Sequence, residues 1–183
     1  LYVIGVACEG VGEPRAAKCA RCDVHIPRFA NETIGQVAEG TASEEPDPEL
    51  AAFLAKPLEE RMAYWQDELE RCIKCYACRE TCPMCYCNRC IVDKNRPSVL
   101  DTSATLKGNF AWQITRAFHQ AGRCVGCDEC TRACPVGINL RLLNLSLSEA
   151  ARRHFDGYRA GINKETVPVI GSFSEQDKET FIQ

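Results

Sequence analysis

One cysteine pattern occurs twice in this chain. Cys72-Ile-Lys-Cys75-Tyr-Ala-Cys78-Arg-Glu-Thr-Cys82-Pro83 recurs as Cys124-Val-Gly-Cys127-Asp-Glu-Cys130-Thr-Arg-Ala-Cys134-Pro135, with all four cysteines and the proline displaced by 52 positions. Each is a C-x2-C-x2-C-x3-C-P run, the spacing with which a chain wraps a [4Fe–4S] cubane. Three cysteines three apart let a tight loop cover one face of the cube, with backbone N–H groups turned toward the anionic cluster. The fourth opens a short helix and points to the neighbouring cluster. The spacing therefore predicts crossed ligation: Cys72, Cys75, Cys78 and Cys134 for cluster I, and Cys124, Cys127, Cys130 and Cys82 for cluster II. A zinc site built from paired C-x2-C knuckles needs neither the third cysteine nor the proline.

Six of the 14 cysteines lie outside the repeat, as Cys8, Cys19, Cys22 and as Cys85, Cys87, Cys90. Cubanes and tetrahedral zinc both take four ligands. Either the triads combine, for example Cys19 and Cys22 with Cys87 and Cys90, or each borrows a ligand from elsewhere. Spacing alone leaves one or two further clusters and zinc open. A disulfide scaffold needs an oxidising compartment, and the apolar residues 1–8 lack the basic region that opens a signal peptide.

Without its cysteines the chain is roughly 37% apolar, a thin supply for a core, and small domains of that kind lean on metals or disulfides. A net charge of −3 removes the electrostatic case for nucleic-acid binding. No apolar stretch approaches the ~18 residues of a membrane span. Residues 1–7 read as a short buried strand. A lone strand is unstable, which predicts a longer native polypeptide or a sheet completed by another chain. Residues 40–48 read as a proline-broken linker. Residues 49–71 should form one or two amphipathic helices restarted at Pro57. Residues 109–122 predict a helix with Phe110, Ile114, Ala117 and Phe118 inward, and residues 138–155 a third closed by Gly157.

The expected fold class is α+β, with four parts: a cysteine-rich segment over 1–40 that ends a small α/β or β-containing domain; a linker and helix over 41–70; a dicluster ferredoxin-like domain with a cysteine-rich helical insertion over 71–157; and an extended arm over 158–183. Residues 70–140 resemble the bacterial-type dicluster ferredoxin domain, lengthened by the stretch from Pro83 to Arg123. Val3-Ile-Gly5-Val-Ala-Cys8, Lys18-Cys19-Ala-Arg-Cys22-Asp23 and Ala30-Asn31-Glu32-Thr33-Ile34-Gly35 resemble, in order, the G-x-x-C, C-x2-C-x-D and A-D-x-x-x-G segments of the β subunits of deazaflavin-dependent hydrogenases and formate dehydrogenases, with Asn31 in place of Asp. That resemblance implies an iron–sulfur site at Cys8, Cys19 and Cys22, and FAD bound by sequence upstream of Leu1 or by a partner. The segments around Cys82–Cys90 and Arg116–Cys124 resemble iron–sulfur extensions found with formate dehydrogenase or heterodisulfide-reductase-type complexes.

His119, flanked by Arg116 and Arg123 at i−3 and i+4, shares a helix face with them. His25 is a candidate fourth ligand in a Cys3His set. Tyr76, Tyr86, Trp65 and Trp112 are candidates to shield clusters from water, Lys74, Arg79, Arg123 and Arg132 to offset their charge, and Gly126 to permit a tight loop. No nucleophile triad, dinucleotide fingerprint or phosphate loop is present. The expected role is an electron-transfer subunit of a larger anaerobic, cytoplasmic oxidoreductase complex, partnered by other redox subunits. The alternatives are a fragment of a flavin-containing reductase exchanging hydride with a deazaflavin or nicotinamide, and a zinc-based structural module.

Overall fold

The computed structural model describes residues 1–8, 18, 19, 22, 24–36, 47–94, 96–169, 171 and 175. The chain divides into two compact units, Leu1–Pro48 and Glu49–Gln183.

In the first unit, β1 (Ile4–Val6) pairs in parallel with β2 (Glu32–Ile34), with Ile4 opposite Glu32, Gly5 opposite Thr33 and Val6 opposite Ile34. The strand that the sequence left without a neighbour thus finds one within its own unit, which corrects the expectation of a lone strand, and it is not the buried strand expected, since Ile4 and Val6 are exposed. Gly5 is required by close approach: a Cβ there would stand 2.7 Å from the Pro27 ring and 2.8 Å from Ala30 Cβ. Asn31 Oδ1 accepts the Val3 N–H at 2.8 Å, tying the segment before β2 to the segment before β1.

The second unit is helical: α1 (Pro48–Leu54, whose first residue closes the first unit), α2 (Leu58–Glu70), α3 (Ala77–Glu80), α4 (Leu106–Gln120), α5 (Glu129–Arg132) and α6 (Leu140–His154), with a 3-10 turn at Ile91–Asp93. Pro57 separates α1 from α2, its fixed φ of −53° opening the second helix. Thr105 caps α4 by accepting the Gly108 N–H at 3.2 Å, and Asn139 caps α6 by accepting that of Leu142 at 3.2 Å. Helix α4 packs against α2 on one side and α6 on the other, while α3 meets α5 and α5 meets α6.

Two cores result. Leu50, Phe53, Trp65, Ala117, Leu142 and Leu143 form the first. The second mixes aliphatic side chains with thiols: Leu69, Ile138 and Leu140 surround Cys78 and Cys130, with Cys72 and Cys134 at its margin. The inward face of α4 differs from the one that hydrophobicity predicts. Trp112 and Ala117 are buried and Phe110 and Ile114 partly so, but Phe118 is 60% exposed. Beyond α6, Gly157 donates to the Arg152 carbonyl at 2.9 Å, and Tyr158 Oη donates to that of Gly122 at 2.8 Å. Most of the expected linker and the last part of the expected arm lie outside the described residues. Among the described residues no helix is long and apolar enough to cross a membrane.

Candidate metal centre

The sequence repeat is also a backbone repeat. In the first run Lys74 and Tyr76 adopt φ of 57° and 59°; in the second Gly126 and Asp128, their counterparts 52 residues on, adopt 70° and 69°. Each pair of left-handed residues flanks the middle cysteine of the loop. Each run then enters a four-residue helix, α3 or α5, that carries its third cysteine. Only glycine takes this conformation freely. Tyr76 is held in it by packing: its ring meets Trp112 edge-on at 5.4 Å, with the Arg79 guanidinium 5.3 Å above it.

Packing α3 against α5 creates two cavities. One is lined by Cys72, Cys75 and Cys78 of the first run and by Cys134 of the second. The other is lined by Cys124, Cys127 and Cys130 of the second run and by Cys82 of the first. Among the described residues no group of three His, Cys, Asp or Glu side chains is gathered tightly enough to hold one metal ion. A single zinc with 2.3 Å bonds needs its sulfurs about 3.8 Å apart. A cubane gives each thiolate its own iron and fits a wider set of four sulfurs, so four cysteines around each cavity match that donor set.

Both cavities are furnished with donors toward sulfur. Around the first, Gln113 Nε2 lies 3.7 Å from Cys72 Sγ and 4.0 Å from Cys78 Sγ, and Ile138 N–H lies 3.4 Å from Cys134 Sγ. Around the second, Asn144 Nδ2 lies 3.6 Å from Cys130 Sγ and Gly126 N–H 3.4 Å from Cys124 Sγ. Gln120 reaches Cys85 Sγ at 3.1 Å. Burial raises the thiols of Cys78, Cys124 and Cys130 above the ordinary range. These are sheltered sulfurs rather than free nucleophiles. Cys82 is drawn the other way, chiefly by the Cys85 thiol against it, which is itself raised.

The remaining sequence candidates separate. Tyr76 and Trp112 line the first cavity, whereas Trp65 belongs to the apolar core and Tyr86 is 65% exposed beneath Arg123. Lys74 donates to the Gly108 carbonyl at 2.9 Å, Arg79 pairs with Glu80 and Asp93, and Arg132 with Glu129. Arg116 does not share an outer face with His119: it is buried and His119 is exposed. In the first unit, the Cys8 N–H donates to the His25 carbonyl at 2.8 Å and the Cys22 N–H to the Cys19 carbonyl at 3.3 Å. Among the described residues, neither of the buried His25 ring nitrogens has a hydrogen-bond partner. Cys85 adjoins the second cavity through Gln120, while Cys87 is exposed and Cys90 half-buried. The buried amides Asn109, Gln113, Gln120 and Asn144 were missed by sequence reading. Their signal was present as polar residues three or four apart on the inner side of α4 and α6, in a register that hydrophobicity does not select.

Residues 68–138, which carry all eight repeated cysteines, match the family described as the 4Fe-4S dicluster domain. Among curated proteins the chain is similar to the F420-dependent formate dehydrogenase subunit beta of Methanocaldococcus jannaschii, 31% identical over 122 residues that cover 64% of this chain and 31% of that protein. It is likewise similar to the F420-dependent formate dehydrogenase 1 subunit beta of Methanococcus maripaludis, 33% identical over 107 residues covering 58% of this chain and 27% of the relative. The match thus spans about a third or less of each relative's length.

Proposed function

We propose that the chain binds two [4Fe–4S] clusters by crossed ligation, Cys72, Cys75, Cys78 and Cys134 on cluster I and Cys82, Cys124, Cys127 and Cys130 on cluster II. In this reading it relays electrons as the iron–sulfur arm of a cytoplasmic formate-dehydrogenase-type complex. The observation that carries the reading is the composition of the two cavities, each lined by three cysteines of one run and the last cysteine of the other. A bound [4Fe–4S] cluster supplies a one-electron couple. The chain's own work is to hold the two sites side by side, donate hydrogen bonds toward sulfur from Gln113 and Asn144, and keep water out with Trp112, Ile138 and Leu140.

Metal content and two substitutions test this. Anaerobically isolated protein should hold at least about eight irons and eight acid-labile sulfides per chain. Cys134→Ser should perturb the spectrum of the cluster on the first run, and Cys82→Ser that on the second. If each substitution disturbs only the cluster of its own run, ligation is not crossed. Cys8, Cys19, Cys22, Cys85, Cys87 and Cys90 are assigned to further iron–sulfur clusters or zinc, with His25 as a candidate fourth ligand in the first unit, where its buried ring nitrogens have no partner among the described residues. Iron beyond about eight, or stoichiometric zinc, decides between them.

A second reading is supported by the relatives' names, which describe F420-dependent enzymes. The whole protein would then bind FAD, exchange a hydride with a deazaflavin and use the clusters as its electron outlet. Flavin absorbance and deazaflavin reductase activity in the full-length protein would establish it; absence of both would leave an electron relay alone.

A further inference from the structure

Helix α4 turns a polar stripe inward. Asn109, Gln113, Arg116 and Gln120, three or four residues apart, are all buried on one side of the helix. Polar side chains taken out of water need partners, and the three amide nitrogens find theirs in the cysteine loops, while Asn109 Oδ1 and Gln113 Oε1 are buried without one. Asn109 donates to the Cys72 carbonyl at 2.7 Å, Gln113 faces Cys72 and Cys78 sulfur, and Gln120 faces Cys85 sulfur. Arg116 is different in kind, because its side chain is a permanent cation. It is 3% exposed, donates through Nη2 to the Cys78 carbonyl at 2.9 Å, and has a buried Nε with no hydrogen-bond partner. Among the described residues no carboxylate pairs with it.

An uncompensated buried charge is among the costliest features a fold can carry. The surroundings of Arg116 say what compensates it. It follows Gln113, at the first cavity, by three residues and precedes Gln120, which lines the second, by four. That places it about one helical turn from each. The thiols whose charge bears on it come from both sides: Cys78 from the first cavity, Cys82 and Cys130 from the second, and Cys85 beside them.

We infer that Arg116 is a cation shared by the two cluster sites, offsetting the negative charge of both and setting both reduction potentials above those that the cysteine ligands alone would produce. This rests on the ligand sets proposed above. Reduction adds one negative charge to a site that thiolates already make anionic. A fixed positive charge in a low-dielectric interior therefore stabilises the reduced form more than the oxidised one. Because it stands between the sites, Arg116 also screens each from the other, so that both can be reduced together. It touches no reacting atom, and is a positioning residue for charge.

The test compares wild type, Arg116→Gln and Arg116→Lys in the full chain, isolated anaerobically, assayed for iron and sulfide, then titrated potentiometrically with EPR detection. Arg116→Gln should keep its iron while both reduction equilibria weaken tenfold or more, 59 mV per tenfold for a one-electron couple. Arg116→Lys should recover at least half of each shift. A smaller shift in either cluster, or a Lys variant as low as the Gln variant, overturns the inference, since the charge would then not be shared or not be the cause. If the Gln variant fails to load iron, loading by the Lys variant supports the need for a cation, and equal failure by Lys overturns it. Wild type with fewer than about eight irons would overturn the ligand assignment itself, a result distinct from unchanged potentials in a fully loaded pair.

Discussion

Gly126 lies in the cluster loop at φ +70°, between Cys124 and Cys127, and a Cβ there would meet Leu145 Cδ2 at 3.2 Å. Both conformation and space favour glycine. Gly126→Ala should cost about 1–2 kcal/mol from the left-handed backbone. For a chain of this size that lowers the apparent melting midpoint by about 2–8 °C, measurable by circular dichroism at fixed scan rate on the loaded protein. At the equivalent point of the first run stands Lys74, whose Nζ bonds to the Gly108 carbonyl at 2.9 Å and so anchors its left-handed backbone to α4. The same loop geometry is thus reached once by a permissive residue and once by a tethered one.

At the scale of elements, α4 is the organising helix. It contacts both long neighbours, and its buried face carries Trp112 at the first cavity, Gln120 at the second and Arg116 between them. Its start depends on Thr105, whose hydroxyl accepts the Gly108 N–H. Thr105→Ala should destabilise the helix by about 1 kcal/mol and Thr105→Ser should largely restore it. Asn109 and Gln113 sit in the first turns of α4, so fraying there should loosen the first cavity before the second. Iron release to a chelator should accordingly quicken first for cluster I, and equal acceleration of both clusters would count against this order. Helices α1 and α2 fall within the amphipathic helices that residues 49–71 predict, and their Leu50, Phe53 and Trp65 build the core against α4 and α6.

For the whole molecule, the second unit has one core of ordinary side chains and one that includes Cys78 and Cys130. In the proposed two-cluster reading, removing the clusters would leave the second core without its centre and Arg116 without a counter-charge. Metal binding and folding are coupled in such sites. Iron extraction under reducing, anaerobic conditions should therefore abolish the near-ultraviolet dichroism and lower the melting midpoint, with helical signal surviving in part through the first core. Unchanged near-ultraviolet dichroism in the iron-free chain would show that the cavities are held by protein packing alone.

The eight repeated cysteines and the helices around Pro57, Asn109 and Leu140 were all readable in order along the chain. The reason is that ligand spacing and turn chemistry are local, and a 52-residue repeat preserves both. The left-handed residue at Gly126 was readable for the same reason. Its counterparts Lys74 and Tyr76 were not, because nothing in a lysine or tyrosine announces a conformation imposed by contacts with α4. Partnership across distance also waited for the tertiary structure: β2 beside β1, Phe118 outside α4, Arg116 inside it. A helical pattern places residues on a stripe, but only the packed neighbours decide whether that stripe faces water, aliphatic side chains or sulfur. The chain's chemistry is written in its spacing, and the charge balance of that chemistry is settled by what α4 is packed against.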